Sequence, residues 1–226
     1  MSGRGFRNLW AVLLLLVAAP IFLLVAAANR ILTGRVFFSQ VRLGRDLRPF
    51  VLLKFQTMVD GAEAASTVTI GNDPRITSFG RVLRALKLDE LPQLINVLRG
   101  EMSLVGPRPL TPNEVEAIPR SLAAMVYRAT PGLTGISALA FADEERILAS
   151  AADPTRAYFE DVLPRKIALE LAYAHRRTRW TDCVIALCTP LAPFSSPVRR
   201  LVLRWLLPDW KGLGLEEPAV SPGLNT

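Results

Sequence analysis

Residues 9–28 have the sequence LWAVLLLLVAAPIFLLVAAA, twenty consecutive residues without a charge. A helix of about 20 apolar residues is long enough to cross the hydrocarbon core of a bilayer. Arg4 and Arg7 precede this run, and Arg30 and Arg35 are the first of several arginines that follow it. The stretch therefore predicts a membrane-associated protein that is anchored by its amino-terminal helix.

This helix has three interpretations: a cleaved signal peptide, a spanning helix and a re-entrant helix. A signal peptide would be cleaved after Ala26-Ala27-Ala28, although the apolar run is longer than the core of a usual signal peptide. A spanning helix would leave one basic flank outside, against the preference of positive charge for the cytoplasmic side. A re-entrant helix, broken at Pro20, would keep both flanks in the cytoplasm, because proline disrupts the helical ladder. The sequence alone ranks the re-entrant and spanning forms equally, since it does not show what satisfies the backbone groups freed at the kink.

The composition agrees with a protein that meets a membrane surface and anionic ligands. Half of the 226 residues are hydrophobic, and 27 Lys and Arg against 20 Asp and Glu leave a net charge of +7. Such a basic surplus suits anionic lipids and phosphate-bearing ligands. We expect no nucleic-acid partner, because the arginines are scattered among apolar runs and form no single basic stripe.

The cysteines and the histidine suggest no metal site. Cys183 and Cys188 lie five residues apart in one apolar run, which predicts free thiols in a reducing compartment. His175 stands beside Arg176 and Arg177 and is predicted to lie at the surface.

Beyond the anchor, the pattern predicts a mostly α-helical chain with a short β-hairpin. Residues 34–55 alternate apolar and polar around Leu43-Gly44-Arg45-Asp46, which indicates two strands and a turn. Helices are predicted over 78–86, from Asp89 as N-cap to Gly100, over 112–127 with a break near Pro119, over 143–179 with interruptions at Pro154 and Pro164, and over 180–191. Residues 60–78, 106–109 and 130–135 are predicted as mainly loop segments.

The last predicted helix, residues 198–210, has two interpretations. It combines leucine, valine and tryptophan with Arg199, Arg200 and Arg204. This composition is typical of a helix at a membrane interface, and equally of an ordinary helix packed on the domain. The residues after it are rich in Gly, Pro and Ser and predict a loose tail.

The chemistry of the chain is best sought around Asp89 and Glu90, at a predicted helix start. Backbone N–H groups and the helix dipole favour phosphate there and keep a carboxylate ionised. An ionised aspartate can act as a nucleophile or bind Mg²⁺, which takes one or two carboxylates plus substrate phosphates. Arg84 could hold a phosphate with its fork of donors. The plain alternative is that Asp89 only caps the helix; no Walker loop, GxGxxG, GxSxG or zinc-ligand spacing indicates another chemistry.

Four stretches carry a family resemblance: VFFSQVRLG at 36–44, KFQTM at 54–58, LDELPQLINVLRGEMSLVGPRP at 88–109 and PGLTG at 131–135. In this order they resemble the bacterial sugar transferases, small monotopic phosphoglycosyl transferases that start glycan assembly on polyprenyl phosphate. The similarity covers roughly residues 5–190. It implies an enzyme that transfers a sugar-1-phosphate from a UDP-sugar to polyprenyl (undecaprenyl) phosphate and releases UMP, as in exopolysaccharide biosynthesis.

The resemblance also implies roles for individual residues. Asp89 would be the nucleophile that forms an aspartyl-phosphosugar intermediate, and Glu90 a second acid, both able to hold Mg²⁺. The remaining matched positions, expected to bind substrate, are Lys54, Arg81, Arg84, Pro107, Arg108 and Gly135. Pro20 would mark the kink of a re-entrant helix. Residues 136–140 depart from the form seen in many members, so the sugar stays open.

From these observations we expect three parts: a re-entrant membrane helix at 1–33, a cytoplasmic sugar-transferase domain at 34–196, and an interfacial amphipathic helix with a tail at 197–226. The expected location is the cytoplasmic face of the bacterial inner membrane, in contact with anionic lipids. A homodimer is one option for the oligomeric state. A non-catalytic membrane scaffold or lipid-binding module of the same fold is the alternative function, and a periplasmic protein released by signal cleavage is a third idea.

Overall fold

The anchor is a single long helix in the computed structural model, which describes residues 3–59, 61, 73–189 and 195–208. Helix α1 (Gly3–Leu32) runs through Pro20 without interruption. Its segment Leu9–Leu32 is long and apolar enough to cross a membrane. Most of its large side chains are exposed, including Val17 at 80% and Ile31 at 82%, which water would not favour.

The predicted hairpin is confirmed. Strands β1 (Phe37–Leu43) and β2 (Pro49–Phe55) pair antiparallel, with Phe37 opposite Phe55 and Leu43 opposite Pro49. The turn between them takes left-handed backbone at Asp46 and Leu47. Phe22 of α1 packs 4.9 Å from the ring of Phe55, so the anchor and the hairpin share one apolar cluster.

The rest of the described chain is helical apart from two short strands. The remaining elements are α2 (Ser78–Ala85), α3 (Gln93–Arg99), β3 (Ser103–Val105), α4 (Pro112–Glu116), α5 (Arg120–Val126), β4 (Gly132–Thr134), α6 (Ile136–Ala140), α7 (Glu144–Ala149), α8 (Pro154–Ala157), α9 (Leu163–Ala174), α10 (Arg179–Cys188) and α11 (Ser196–Leu206). Strands β3 and β4 pair in parallel; β4 lies within residues 130–135, which were wrongly predicted to be a loop, and β3 directly precedes the predicted 106–109 loop. A strand of three residues is too short to show the two-residue hydrophobic period by which strands are recognised in a sequence.

Two helix predictions need correction. Asp89 does not cap α3: it lies in a 3-10 turn at Leu88–Glu90, and α3 begins at Gln93 with Pro92 as its N-cap. Pro164 does not interrupt the helical run: a π-helical turn at Tyr158–Val162 leads directly into α9, and Pro164 lies in the first turn of α9. The breaks expected at Pro119 and Pro154 are present, and Gly100 ends α3 in a left-handed conformation.

The carboxyl-terminal helix is partly a core element. Val202, Leu203 and Leu206 of α11 are buried in a cluster with Ile136 of α6 and Ile185 of α10. Its opposite face leaves large apolar side chains exposed. Cys183 and Cys188 are free thiols and His175 is exposed, as predicted. Residues 62–72 of the predicted loop and the tail from 209 onward lie outside the described residues.

Candidate active site

The acid pair lies on the short turn that joins α2 to α3. Lys87 adopts a left-handed conformation, which reverses the chain after α2 and starts the turn at Leu88–Glu90. Leu88 and Leu91 pack beneath this turn against the cluster that contains Val25 of the anchor. Asp89 is buried, with 6% of its surface exposed.

Lys54, near the end of β2, bridges the two acids. Its Nζ lies 3.1 Å from Glu90 Oε1 and 3.6 Å from Asp89 Oδ2. Arg108 Nη1 lies 4.0 Å from the same Glu90 oxygen. The hairpin, the 3-10 turn and the 106–109 loop therefore bring two carboxylates and two cations together from distant parts of the sequence.

This environment shifts the pKa values of the two carboxyl groups in opposite directions. Burial is the main cause that raises the pKa of Asp89; Lys54 opposes that shift and Glu90 adds to it. Burial alone would also raise the pKa of Glu90, but Lys54 and Arg108 outweigh it and lower that pKa to about 2. Asp89 lies in the 3-10 turn ahead of α3, so burial and the neighbouring charges, and not the amino terminus of that helix, set the direction of its pKa shift. Asp89 is the more basic carboxylate of the pair, and the anionic Glu90 keeps the two cations in place.

The arginines of α2 occupy different positions. Arg84 Nε donates to Thr57 Oγ1 at 3.0 Å, and Arg84 also lowers the pKa of Asp89 through its charge. Arg81 instead donates to the Ile76 carbonyl and the Ser78 hydroxyl. Of the two, only Arg84 is shown to act on the acid pair within the described part of the chain.

The loop that carries Arg108 is held by its own carbonyl groups. The carbonyls of Pro107, Arg108, Pro109 and Leu110 accept hydrogen bonds, in that order, from Gly132 N, the Tyr127 hydroxyl, Arg42 Nη1 and Leu43 N. Arg42 is in turn paired with Glu114 at 3.1 Å. Four consecutive carbonyl groups are thus bonded, which restrains the backbone that carries Arg108.

Close backbone contact explains why position 135, which was predicted to bind substrate, is a glycine. A Cβ on Gly135 would lie 2.2 Å from the Gly106 carbonyl oxygen, and one on Gly132 would lie 2.1 Å from Gly106 N. Only glycine permits these approaches. The 106–109 and 132–135 segments therefore lie side by side as one wall of the site.

A cleft opens beside Lys54 and Arg108, the two cations that contact Glu90. The residues around it are Arg42, Leu52, Lys54, Gln93, Arg108, Pro109, Gly132, Leu133, Thr134, Gly135 and Ala138. Lys54 and Arg108 give it a basic end next to Glu90, and leucine, proline and alanine give it an apolar wall. Such a cleft suits a ligand with an anionic centre and less polar ends.

Asp89 and Glu90 are the residues that would hold the Mg²⁺ ion, which stays a prediction. No group of three or more metal-ligating side chains occurs among the described residues, so the set is two adjacent carboxylates. Mg²⁺ is commonly held by one or two carboxylates and completes its shell with water and substrate phosphates. Asp89 and Glu90 would hold such an ion with a phosphate-bearing substrate in the cleft.

Several residues of the site were not singled out from the sequence. Gln93, Thr134 and Arg42 line the cleft, and Tyr127 and Glu114 secure its arginine loop. No local pattern distinguishes these residues, because their positions depend on contacts far apart in the chain. Arg42 and Gln93 could have been found from the sequence, because they lie inside two of the stretches that resemble the family, 36–44 and 88–109.

Comparison with known proteins places the chain in a family. The bacterial sugar transferase family matches residues 2–196. Exopolysaccharide production protein ExoY of Rhizobium meliloti (strain 1021) is 40% identical over 153 residues, which are 60% of this chain and 67% of the relative. Undecaprenyl-phosphate glucose phosphotransferase of Komagataeibacter xylinus is 39% identical over 199 residues, 84% of this chain but 35% of that protein. UDP-glucose:undecaprenyl-phosphate glucose-1-phosphate transferase of Caulobacter vibrioides is 37% identical over 187 residues, 79% of this chain and 64% of that protein. The chain belongs to the bacterial sugar transferase family.

Proposed function

We propose that this enzyme transfers a sugar-1-phosphate from a UDP-sugar to polyprenyl phosphate at the cytoplasmic face of the bacterial inner membrane. The observation that carries the proposal is the pair Asp89 and Glu90, bridged by Lys54 at the basic end of the cleft. The names of the relatives from Komagataeibacter and Caulobacter support an undecaprenyl phosphate acceptor.

The proposed reaction has two displacements. A carboxylate oxygen of Asp89 attacks the β-phosphorus of the UDP-sugar, the bond from that phosphorus to the bridging oxygen breaks, and UMP leaves. An oxygen of the lipid phosphate then attacks the same phosphorus, and the Asp89 carboxylate leaves. The raised pKa of Asp89 supports its choice as nucleophile, because a more basic carboxylate donates electrons more readily once ionised.

The neighbouring charges have supporting roles. Lys54 and Arg108 would bind the oxygens of the diphosphate, where preorganised cations stabilise charge that moves during transfer. The charge of Arg84 adds to this positive field at Asp89. A Mg²⁺ ion bound by Asp89 and Glu90 would supply further neutralisation of the diphosphate.

We favour the re-entrant form over the spanning form because α1 packs on the domain at two places, Ala11 and Val25, although its helix is not broken at Pro20. Ala11 is buried against Leu52 and Met102, and Val25 against Phe55 and Leu83. These two contacts with one domain are separated by about 21 Å of helix. A helix that crossed the roughly 30 Å of hydrocarbon would have to leave the domain over most of that length. An anchor that stays beside the domain keeps both basic flanks on one side.

The exposed faces of α10 and α11 support contact with anionic lipids. Trp180 and Leu187 project from α10, and Leu201 and Trp205 from α11. Leu104 packs against both the core beneath these helices and the cluster around Ala11 of the anchor. Tryptophan beside arginine is favoured at a membrane interface. Brominated lipids should quench the fluorescence of Trp205 in proteoliposomes.

The central test is turnover with a panel of UDP-sugars, polyprenyl phosphate and Mg²⁺. The full chain should release UMP, and acid quench should trap a phosphosugar on Asp89. Asp89→Asn should reduce turnover to background and abolish the adduct. Turnover that survives in Asp89→Asn would rule out the covalent mechanism, while no turnover of the intact chain with any UDP-sugar would favour the scaffold or lipid-binding alternative.

The topology is tested by thiol labelling in a chain with Cys183 and Cys188 replaced by serine. Single cysteines at Ser2 and Arg35 flank the anchor. Both should react only from the cytoplasmic side, and the amino terminus should be uncleaved. Labelling of Ser2→Cys from outside would establish a spanning helix, and a mature terminus at Asn29 would establish a signal peptide.

A further inference from the structure

Gln93 is a buried amide without a partner. Only 4% of its surface is exposed, and it lines the cleft. Among the described residues, Asn29 Oδ1 is the side-chain polar atom that is fully enclosed and unpaired. The hydrogen bonds of that same part of the chain include none from the Gln93 side chain. Its amide is therefore unpaired but accessible, and the space it opens onto is the cleft.

The other buried amide of α3 shows the contrast. Asn96 is completely buried, donates to the Val51 carbonyl and to Glu101, and accepts from Leu53 N. Asn96 thus holds α3 against β2 and has a structural role. Gln93 lies one turn earlier on the same helix and makes no comparable bond. Proteins rarely bury an amide without using it, so the free amide indicates a ligand.

The chemistry of the amide limits what that ligand group is. Lys54 and Arg108 already provide positive charge for a diphosphate at the basic end of the cleft. An amide carries no charge and offers one acceptor and two donor hydrogens. It matches uncharged groups that both donate and accept, such as sugar hydroxyls or the edge of a uracil.

We infer that Gln93 is a substrate-binding residue that recognises an uncharged, hydrogen-bonding part of the sugar-nucleotide donor. This inference rests on the proposed function. Asp89 and Gln93 lie on successive turns of the chain. Lys54, Arg108 and Gln93 line the same cleft, so a donor whose diphosphate binds the two cations would place its sugar or its uracil near Gln93.

The test compares the intact chain with Gln93→Met, which keeps the length of the side chain and removes the amide. The KM for the UDP-sugar should rise or kcat/KM should fall about tenfold, the effect of one lost hydrogen bond. The KM for polyprenyl phosphate and the thermal unfolding midpoint should stay unchanged, because the amide holds nothing in the free protein. Inhibition by UMP distinguishes a contact with the uracil from a contact with the sugar. In Gln93→Met, UMP should inhibit more weakly if Gln93 contacts the uracil, and equally well if Gln93 contacts the sugar.

Gln56→Met is the matched control. Gln56 is also buried, but its amide donates to the Met58 carbonyl at 2.7 Å. Its loss should lower the unfolding midpoint and leave the donor KM unchanged. An unchanged donor KM and kcat in Gln93→Met, or an equal rise in both variants, would overturn the inference. Absence of turnover in the intact chain would instead count against the proposed function.

Discussion

Lys54 Nζ lies 3.1 Å from Glu90 Oε1, and the same ammonium group lies 3.6 Å from Asp89. Adjacent carboxylates repel each other when both are ionised and partly buried. The lysine offsets this repulsion from a strand that is more than thirty residues away in sequence. The acid pair therefore depends on the hairpin for its charge state.

The first prediction concerns that lysine. Lys54→Met should reduce kcat by roughly a hundredfold, because it removes a cation that stabilises the acids and the diphosphate. Lys54→Arg should retain part of the activity, since the charge remains. Initial rates with saturating donor and acceptor measure both variants. Equal rates for Lys54→Met and the unchanged enzyme would show that Arg108 alone suffices.

The second prediction concerns the hydroxyl of Tyr127, which donates to the Arg108 carbonyl at 2.5 Å. Tyr127→Phe should lower kcat/KM for the donor several-fold, because the backbone beneath Arg108 loses one of its bonds. The same substitution should have little further effect in an Arg108→Ala background, since contacting residues are coupled. Tyr173→Phe is the control, because its hydroxyl bonds to Thr181 and Asp182 and not to the Arg108 carbonyl. Equal losses with and without Arg108 would assign Tyr127 a purely structural role.

The third prediction concerns acid stability. Burial would raise the pKa of Glu114, but Arg42 and the hydroxyl of Tyr158 outweigh it and hold that pKa below its usual value. The folded state then binds its proton at lower pH than the unfolded state, so this group stabilises the fold above the ordinary glutamate range and loses that contribution as pH falls through it. Unfolding midpoints of the intact chain should drop steeply below about pH 4.5. Glu114→Gln should start lower at neutral pH and fall less on acidification; parallel curves would contradict this assignment.

The fourth prediction concerns the wall of the cleft. Gly132→Ala should destabilise the protein by roughly 1–3 kcal/mol or more, since the new methyl group would overlap the backbone of Gly106. Strands β3 and β4 would have to separate, and the arginine loop would shift with them. Chemical denaturation in detergent measures the loss, and donor KM reports the shift. A variant with normal stability and KM would mean that the two segments part easily.

Much of the site was predictable because several of its charged residues lie close together in the sequence. Asp89 and Glu90 are adjacent, and the stretch at 88–109 also contains Arg108. The two-residue period of the hairpin identified β1 and β2, and prolines marked the starts of α4, α5 and α8. The local setting of Asp89 was not predictable, because a 3-10 turn ahead of Pro92 resembles the first turn of a helix in sequence. The parallel pairing of β3 and β4 left no periodic signal either.

By itself the sequence determined the apolar anchor, its basic flanks, the acid pair and the family, since each of these is a property of contiguous residues. Only the tertiary structure decided that Lys54 bridges the acids, that Arg42 and Tyr127 secure the loop of Arg108, and that Gln93 has a free amide on the cleft. These relationships join residues that are tens of positions apart, and they arise when burial of the apolar clusters brings the hairpin, the turn and the loops together. Burial also raises the pKa of Asp89, an effect that no sequence pattern records.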